Sequence, residues 1–175
     1  MNFSPVSQYS FGSITDISPD FLDDLGVNFL MLDLDNTLAT YTERFPSEHV
    51  IKWAAGMASS GIKMFIVSNN RRRGRPERFA KTMNIGFIKS ARKPSPAGLL
   101  RAMEIAGFNK TESALVGDQV YTDVLAANIA GVVSIVVRPR SLKNPLLALR
   151  FALEFPFRAA IPKRAANGRL TIRAE

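Results

Sequence analysis

At 175 residues, 46% apolar and without cysteine, the chain is sized for one soluble domain with a substantial core, and disulfide scaffolds and thiolate metal sites are excluded. Its one histidine, His49, excludes multi-histidine metal centres and reads as a solvated or packing residue of a helix. The net charge of +8 is uneven: residues 1–137 carry 14 Lys+Arg against 13 Asp+Glu, whereas 138–175 carry 9 against 2, so the basic character belongs to the C-terminal end.

Ser18-Pro19-Asp20 predicts a helix start, with Ser18 as cap, Pro19 at the first helical position and Gly26 as the stop. A strand is expected over 28–33, a helix over 47–60 ended by Gly61, and a strand over 62–67 leading into Ser68-Asn69-Asn70. A short helix over 77–83 and a short strand over 86–88 follow. Lys93-Pro94-Ser95-Pro96 then opens a helix over 96–106 with Gly107 as terminator. The remainder reads as a strand over 113–116 delivering Gly117-Asp118, a helix over 121–130 stopped by Gly131, a β-branched strand over 132–137, and an apolar helix over 144–157. Strands alternating with helices of this length require a parallel sheet covered on both faces, the three-layer α/β class. The expected organisation is a core over 1–140, an apolar helix within 141–162 that packs on the core or lies at a membrane interface, and a basic tail over 163–175. No basic-then-apolar leader opens the sequence, and no run reaches the roughly 18 apolar residues of a membrane span. The expectation is a cytoplasmic protein, soluble or peripheral on the inner face of the membrane.

Asp33-Leu34-Asp35-Asn36-Thr37-Leu38 ends the apolar run Phe29-Leu30-Met31-Leu32. Two carboxylates two residues apart at the end of a strand share one side of the sheet, at the edge where open parallel sheets bind ligands. Like charges abutting a buried strand are costly unless a cation or hydrogen bonds compensate them, so this layout suits a magnesium ion and a nucleophile. Four clusters fall at successive strand ends: Asp33/Asp35, Ser68, Lys93 and Asp118/Asp123, separated by 35, 25, 25 and 5 residues. Each of the first three gaps holds one crossover unit, so folding brings acids, a hydroxyl and an amine onto one rim.

In this order the clusters resemble the four motifs of the haloacid-dehalogenase-like (HAD) superfamily of aspartate-nucleophile phosphatases. Asp33-Leu34-Asp35-Asn36-Thr37-Leu38 is similar to the first motif, Ile66-Val67-Ser68-Asn69-Asn70 to the second, Lys93-Pro94 to the third, and Gly117-Asp118-Gln119-Val120-Tyr121-Thr122-Asp123 to the fourth. Ser13-Ile14-Thr15-Asp16-Ile17 and the Asp-Asn-Thr-Leu sequence within the first motif resemble more narrowly the YqeG-type HAD-IIIA phosphatases, the group that includes mitochondrial phosphatidylglycerophosphate phosphatases. The resemblance implies a Rossmann-like core. Neither the interval after the first motif nor that between the second and third has room for a large cap domain, so by resemblance the type is capless.

The residue types suit that chemistry. Phosphate-monoester hydrolysis is among the slowest uncatalysed reactions, accelerated by enzymes up to roughly 10²¹-fold, and no single effect supplies that. Asp33 is the expected nucleophile, forming an aspartyl-phosphate, and Asp35 the acid that protonates the leaving oxygen and then activates water. Mg²⁺ is expected on the Asp33 carboxylate, the Asp35 backbone carbonyl and the Asp118 carboxylate. Lys93, Ser68 and the Asn69 backbone N–H are expected to bind phosphoryl oxygens, with Thr37 supporting the nucleophile loop and Asp123 orienting Lys93 or a metal-bound water.

Two features bear on the substrate. Arg71, Arg72, Arg73 and Arg75 follow Ser68 and are expected to contact a second anionic group or an acidic membrane, or to form a solvated basic loop. The 144–157 helix is apolar except for Arg150 and Glu154 and is flanked by basic residues, which suits an interface or the cover of a sheet edge. The leading expectation is hydrolysis of phosphatidylglycerophosphate at an anionic phospholipid surface. The alternatives are a soluble phosphatase of nucleotides, sugar phosphates or phosphoproteins, and a non-catalytic RNA-binding scaffold.

Overall fold

In the computed structural model, which describes residues 3–70 and 74–161, six parallel strands form one sheet in the order β1-β6-β5-β2-β3-β4. They are β1 (Tyr9–Phe11), β2 (Phe29–Leu32), β3 (Lys63–Val67), β4 (Gly86–Ile88), β5 (Ser113–Gly117) and β6 (Val133–Val137). β2 pairs with β3 on one side and β5 on the other, and all four of its residues are buried. A strand covered on both faces has no polar face to show, which is why it reads as an unbroken apolar run. The chain leaves β2 towards β3 and β4, then returns to β5 on the opposite side. The C-terminal end of β2 therefore sits at the switch point where crossovers diverge and open a crevice.

Alternate residues of the strands feed two cores. Leu30, Leu32, Met64, Ile66 and Val116 meet α1 (Pro19–Asp23), α2 (Glu48–Ser59) and α3 (Arg75–Met83) on one face. Phe29, Met31, Phe65, Val67 and Leu115 meet α4 (Ala97–Ala106) and α5 (Leu125–Ala130) on the other. Each fully buried Leu, Met or Phe contributes about 1.5–3 kcal/mol relative to exposure, so the two cores fix the strand order that positions the loops. The three-layer expectation holds, and no large cap is present among the described residues.

Three local features differ from the sequence expectation. β1 was not anticipated: it is a three-residue edge strand, only half-buried, too short to carry an alternation signal, and it is held by β6 and by edge-on contacts of Tyr9 and Phe11 with Phe21. The helix expected over 121–130 begins instead as a wide π turn over Val120–Val124, in which the Asp123 carboxylate turns back to accept from the Gln119 N–H. The apolar helix expected over 144–157 is two helices, α6 (Pro145–Leu153) and α7 (Phe155–Ala159). Pro156 explains the break, since it lacks an N–H and disfavours helical backbone at the residue before it.

Glu154, at that break, is buried rather than solvated. Its carboxylate accepts from the Val120 N–H at 3.0 Å and from Arg158 Nη2 at 2.8 Å, while Arg158 also reaches the carbonyls of Asp118 and Val137. The C-terminal helices thus pack on the core through the loop that follows β5. Leu146, Leu149, Leu153 and Phe155 remain 58–71% exposed. No helix among the described residues is long and apolar enough to cross a membrane. Arg71, Arg72, Arg73 and the expected basic tail lie outside the described residues.

Candidate active site

The rim above β2 carries most of the expected side chains in one cleft of about 340 Å³, lined by Asp33, Asp35, Ser68, Asn69, Lys93 and Asp123 among others, with Asp118 buried beside Asp33 and Asp123. Asp33 continues the ladder, donating its N–H to Val116 at 2.8 Å, so its side chain leaves the sheet at a position set by β5. Lys93, 60 residues later, arrives by the loop between β4 and α4 and places Nζ 2.6 Å from Asp33 Oδ1 and 2.7 Å from Asp123 Oδ1. Asn69 locks that loop by a two-way bond: its amide donates to the Lys93 carbonyl at 2.9 Å and accepts from the Lys93 N–H at 2.7 Å. The expected second-motif residue Asn69 therefore acts through its side chain on the lysine loop.

Ser68 is buried, and its hydroxyl oxygen accepts from the Asn70 N–H at 3.0 Å. Among the described hydrogen bonds that hydroxyl donates none, which leaves its proton for a ligand. Gly117 is required where β5 ends: a Cβ there would meet Asp123 Cγ at 2.3 Å, so only glycine lets the Asp123 carboxylate pack against the strand and reach Lys93. Thr37 donates to Asp118 Oδ1 at 3.3 Å, fixing that acid beside the nucleophile loop.

Asp33, Asp118 and Asp123 are all buried and each offers a carboxylate oxygen within 4.8 Å of the others. Three acids face one ammonium here, and the electrostatics register the imbalance. Burial, opposed by Lys93 and reinforced by Asp123, pushes the Asp33 carboxyl up to about 7. Burial, then Asp123 and Asp33, holds Asp118 well above the usual carboxylate range. Burial disfavours the Lys93 charge, but Asp123 and Asp33 override it and keep the ammonium protonated above the ordinary lysine range. A compact, dry, all-oxygen donor set with excess negative charge fits a hard divalent cation. Asp123 is already committed to Lys93 and the Gln119 N–H, which leaves Asp33 and Asp118 as the carboxylates best able to hold an ion.

Asp35 is held away from that cluster by two donors, Asn70 Nδ2 at 2.7 Å and Arg75 Nε at 3.1 Å. Arg75 corrects an expectation. It is not a solvated member of a basic loop but a buried strut, its guanidinium donating to Asp35 and to the carbonyls of Thr40 and Glu43 and lying 5.0 Å from the Phe79 ring. Three of its five N–H donors are committed to the loop after β2, which ties the side chain to that loop. Arg75→Ala is expected to lower kcat more than it raises KM, because Asp35 loses its orientation, and to cost about 2 kcal/mol of stability through lost charge-assisted bonds. Arg75→Lys is expected to recover little, since an ammonium cannot span a carboxylate and two carbonyls. Steady-state kinetics beside urea denaturation of the three proteins checks this.

Sequence reading missed Asn70 and Arg75 as partners of Asp35, and Tyr41, Leu147 and Arg150 as lining residues. Asn70 lay within the quoted second motif, and Arg75 was hidden in a run of similar residues. The others had no local signal.

Comparison with known proteins agrees with this geometry. The haloacid dehalogenase-like hydrolase family model matches residues 13–131. The chain is 37% identical over 127 residues to a Bacillus subtilis (strain 168) protein described as "Probable phosphatase YqeG", covering 73% of each. Its fold is similar to that of an uncharacterized protein from Listeria monocytogenes serotype 4b, with a TM-score of 0.55 at 18% identity over 76% of this chain and 99% of that one. It is equally similar, with a TM-score of 0.55 at 16% identity over 74% and 77%, to the cobalt-bound deoxy-D-mannose-octulosonate 8-phosphate phosphatase of Haemophilus influenzae. The chain belongs to the haloacid dehalogenase-like hydrolase family and, within it, to the YqeG-type phosphatases, enzymes that act on phosphoric monoesters.

Proposed function

We propose that this protein is a Mg²⁺-dependent phosphomonoester hydrolase that works through an aspartyl-phosphate on Asp33 and acts on phosphatidylglycerophosphate at a membrane surface. The observation that carries the reading is the Lys93 ammonium held between Asp33 and Asp123 in an open cleft that also presents Asp35 and Ser68. Asp33 Oδ1 is tied to Lys93, which sets the carboxylate's orientation for attack on phosphorus. As the phosphorus–oxygen bond to the leaving group breaks, Asp35, aimed by Asn70 and Arg75, gives that oxygen a proton. It then takes one from the water that releases phosphate and restores Asp33.

Ser68 and the Asn69 N–H bind phosphoryl oxygens as charge spreads over them, and Lys93 adds a fixed positive charge that needs no reorganisation. Mg²⁺ held by Asp33 and Asp118 would supply the remaining screening between two anionic reactants. Relatives support the class of reaction, and one structural neighbour, the Haemophilus influenzae phosphatase, is a cobalt-bound form.

The membrane part of the reading rests on the exposed Leu146, Leu149 and Leu153 of α6, the helix that also lines the cleft, and Phe155 of α7. Apolar side chains beside basic ones bind anionic interfaces, with about 1 kcal/mol per surface Lys or Arg before screening. Purified protein is expected to release phosphate from phosphatidylglycerophosphate in vesicles far faster than from soluble phosphoesters. That activity is expected to vanish in EDTA and return with millimolar Mg²⁺. Equal rates on lipid and soluble esters would remove the lipid substrate and leave a soluble phosphatase.

A further inference from the structure

One wall of the cleft comes from a segment that carries none of the catalytic motifs. Leu147 and Arg150 of α6 line the same cleft as Ser68 and Asn70, together with Tyr41 from the loop after β2. α6 is fixed there rather than laid loosely across the rim. Glu154, one turn beyond Arg150, accepts from the Val120 N–H, Tyr121 Oη donates to the Leu153 carbonyl at 3.2 Å, and Arg158 bridges Glu154 to the carbonyl of Asp118. The helix is thereby tied to the loop that holds Asp118 and Asp123.

Among the described residues two cations line the cleft, Lys93 and Arg150, and they differ in what they have left to give. Lys93 is 1% exposed and sits between two carboxylates. The Arg150 side chain is 35% exposed, its one ion pair is a 3.8 Å approach of Nε to Glu154 Oε1, and that carboxylate is already served by Val120 and Arg158. Among the described residues the Arg150 guanidinium donates no hydrogen bond. Tyr41 locates it further: burial first, then Asp118, Asp35 and Asp33, push that phenol up to about 12, and Arg150 acts on the same phenol in the opposite sense. Arg150 and the catalytic acids thus share a neighbour.

We propose that Arg150 is a specificity-determining residue that binds a second anionic group of the substrate, so that α6 performs the selection for which a capless fold has no separate domain. The preferred substrates are then phosphomonoesters that carry a phosphodiester in the same molecule. A guanidinium offers two parallel N–H donors that match two non-bridging oxygens of a phosphodiester. This inference rests on the phosphatase reading and names its selective contact. The same diester occurs in the lipid and in its deacylated headgroup, which gives the test its two arms.

The probes are para-nitrophenyl phosphate, which has a single anionic group, glycerophosphoglycerophosphate, which has a monoester and a diester and no acyl chains, and phosphatidylglycerophosphate in neutral phosphatidylcholine vesicles. For Arg150→Gln, KM for glycerophosphoglycerophosphate is expected to rise about 10- to 100-fold with kcat within about twofold, the size of one lost charge-assisted pair. The variant's kcat/KM on para-nitrophenyl phosphate and its melting temperature are expected to match the wild type. Arg150→Lys is expected to recover part of the affinity.

Equal losses on both soluble probes would place Arg150 on the transferred phosphoryl group and overturn the proposal, as would no loss on either. A loss confined to vesicles, with the soluble headgroup unaffected, would also overturn it, because the residue would then be touching the membrane. Wild-type protein that turned over no probe would remove the phosphatase reading itself, and this one with it. Wild-type turnover of para-nitrophenyl phosphate with an indifferent Arg150→Gln variant would remove this inference alone.

Discussion

Replacing Asp33 with asparagine is expected to reduce kcat on the order of 10⁴-fold or more while leaving the fold intact, because the substitution removes the attacking oxygen and almost nothing else. Asparagine has the same shape, and its Oδ1 can still accept from Lys93 Nζ, now 2.6 Å from the carboxylate. The native carboxyl is crowded by burial and by Asp123, which together push it up to about 7. A neutral amide escapes that crowding, so the melting temperature of the metal-free variant is expected to equal or exceed that of the wild type. Phosphate-release kinetics and calorimetry on the same preparation check both halves. Turnover within tenfold of the wild type would dismiss Asp33 as nucleophile, and a large loss of melting temperature would show that the carboxylate was structural.

Lys93→Met is expected to have the opposite signature, with activity and stability falling together. Removing one partner of a buried ion pair typically costs about 3–5 kcal/mol, a large share of the roughly 5–15 kcal/mol that holds a domain together. Here the loss leaves Asp33 and Asp123 facing one another, with Asp118 beside them and no ammonium among them. Adding Asp123→Asn to Lys93→Met is expected to recover part of the stability by removing one of the stranded charges, and to recover none of the activity. Urea denaturation of the two single variants and the double variant measures that coupling. Strict additivity would show that Lys93 and Asp123 do not share the electrostatic unit described above.

The grouping of these side chains was largely legible because they stand at strand ends. Asp33 follows an apolar run, Ser68 and Asp118 follow two more, and a parallel sheet gathers the C-terminal ends of its strands on one edge whatever the details of packing. Lys93 was readable only in that company. Thr37 was expected to support the nucleophile loop, and it donates to Asp118. Asp123 was expected to orient Lys93 or a metal-bound water, and Lys93 Nζ lies 2.7 Å from its carboxylate.

Arg75 shows the limit of such reading. Within Arg71-Arg72-Arg73-Gly74-Arg75 the five positions give no sign of which guanidinium turns inward. That depends on α3 beginning at Arg75, with Gly74 at φ 78° ahead of it, and on the loop after β2 presenting two carbonyls to the side chain. Glu154 shows a different limit. One acid in an apolar helix carries no sign of its burial, and it is buried because Arg158 and the Val120 N–H meet it.

By itself the sequence determined the class of fold, most of its elements in order, and which carboxylates, hydroxyl and amine stand at the ends of neighbouring strands, because strand length, caps and apolar runs are local properties of the chain. The break before Pro156 was also carried by the chain, though it went unread: Pro156 lies in the first turn of α7, where a residue without an N–H is tolerated, and disfavours a helix running on through the residue before it. Only the tertiary structure decided that three acids crowd one ammonium, that Asp35 is braced by Arg75 and Asn70, and that α6 forms a wall of the cleft. Those outcomes depend on distances between residues far apart in the chain and on how much water is excluded between them. Such distances are set by how the sheet and its helices pack.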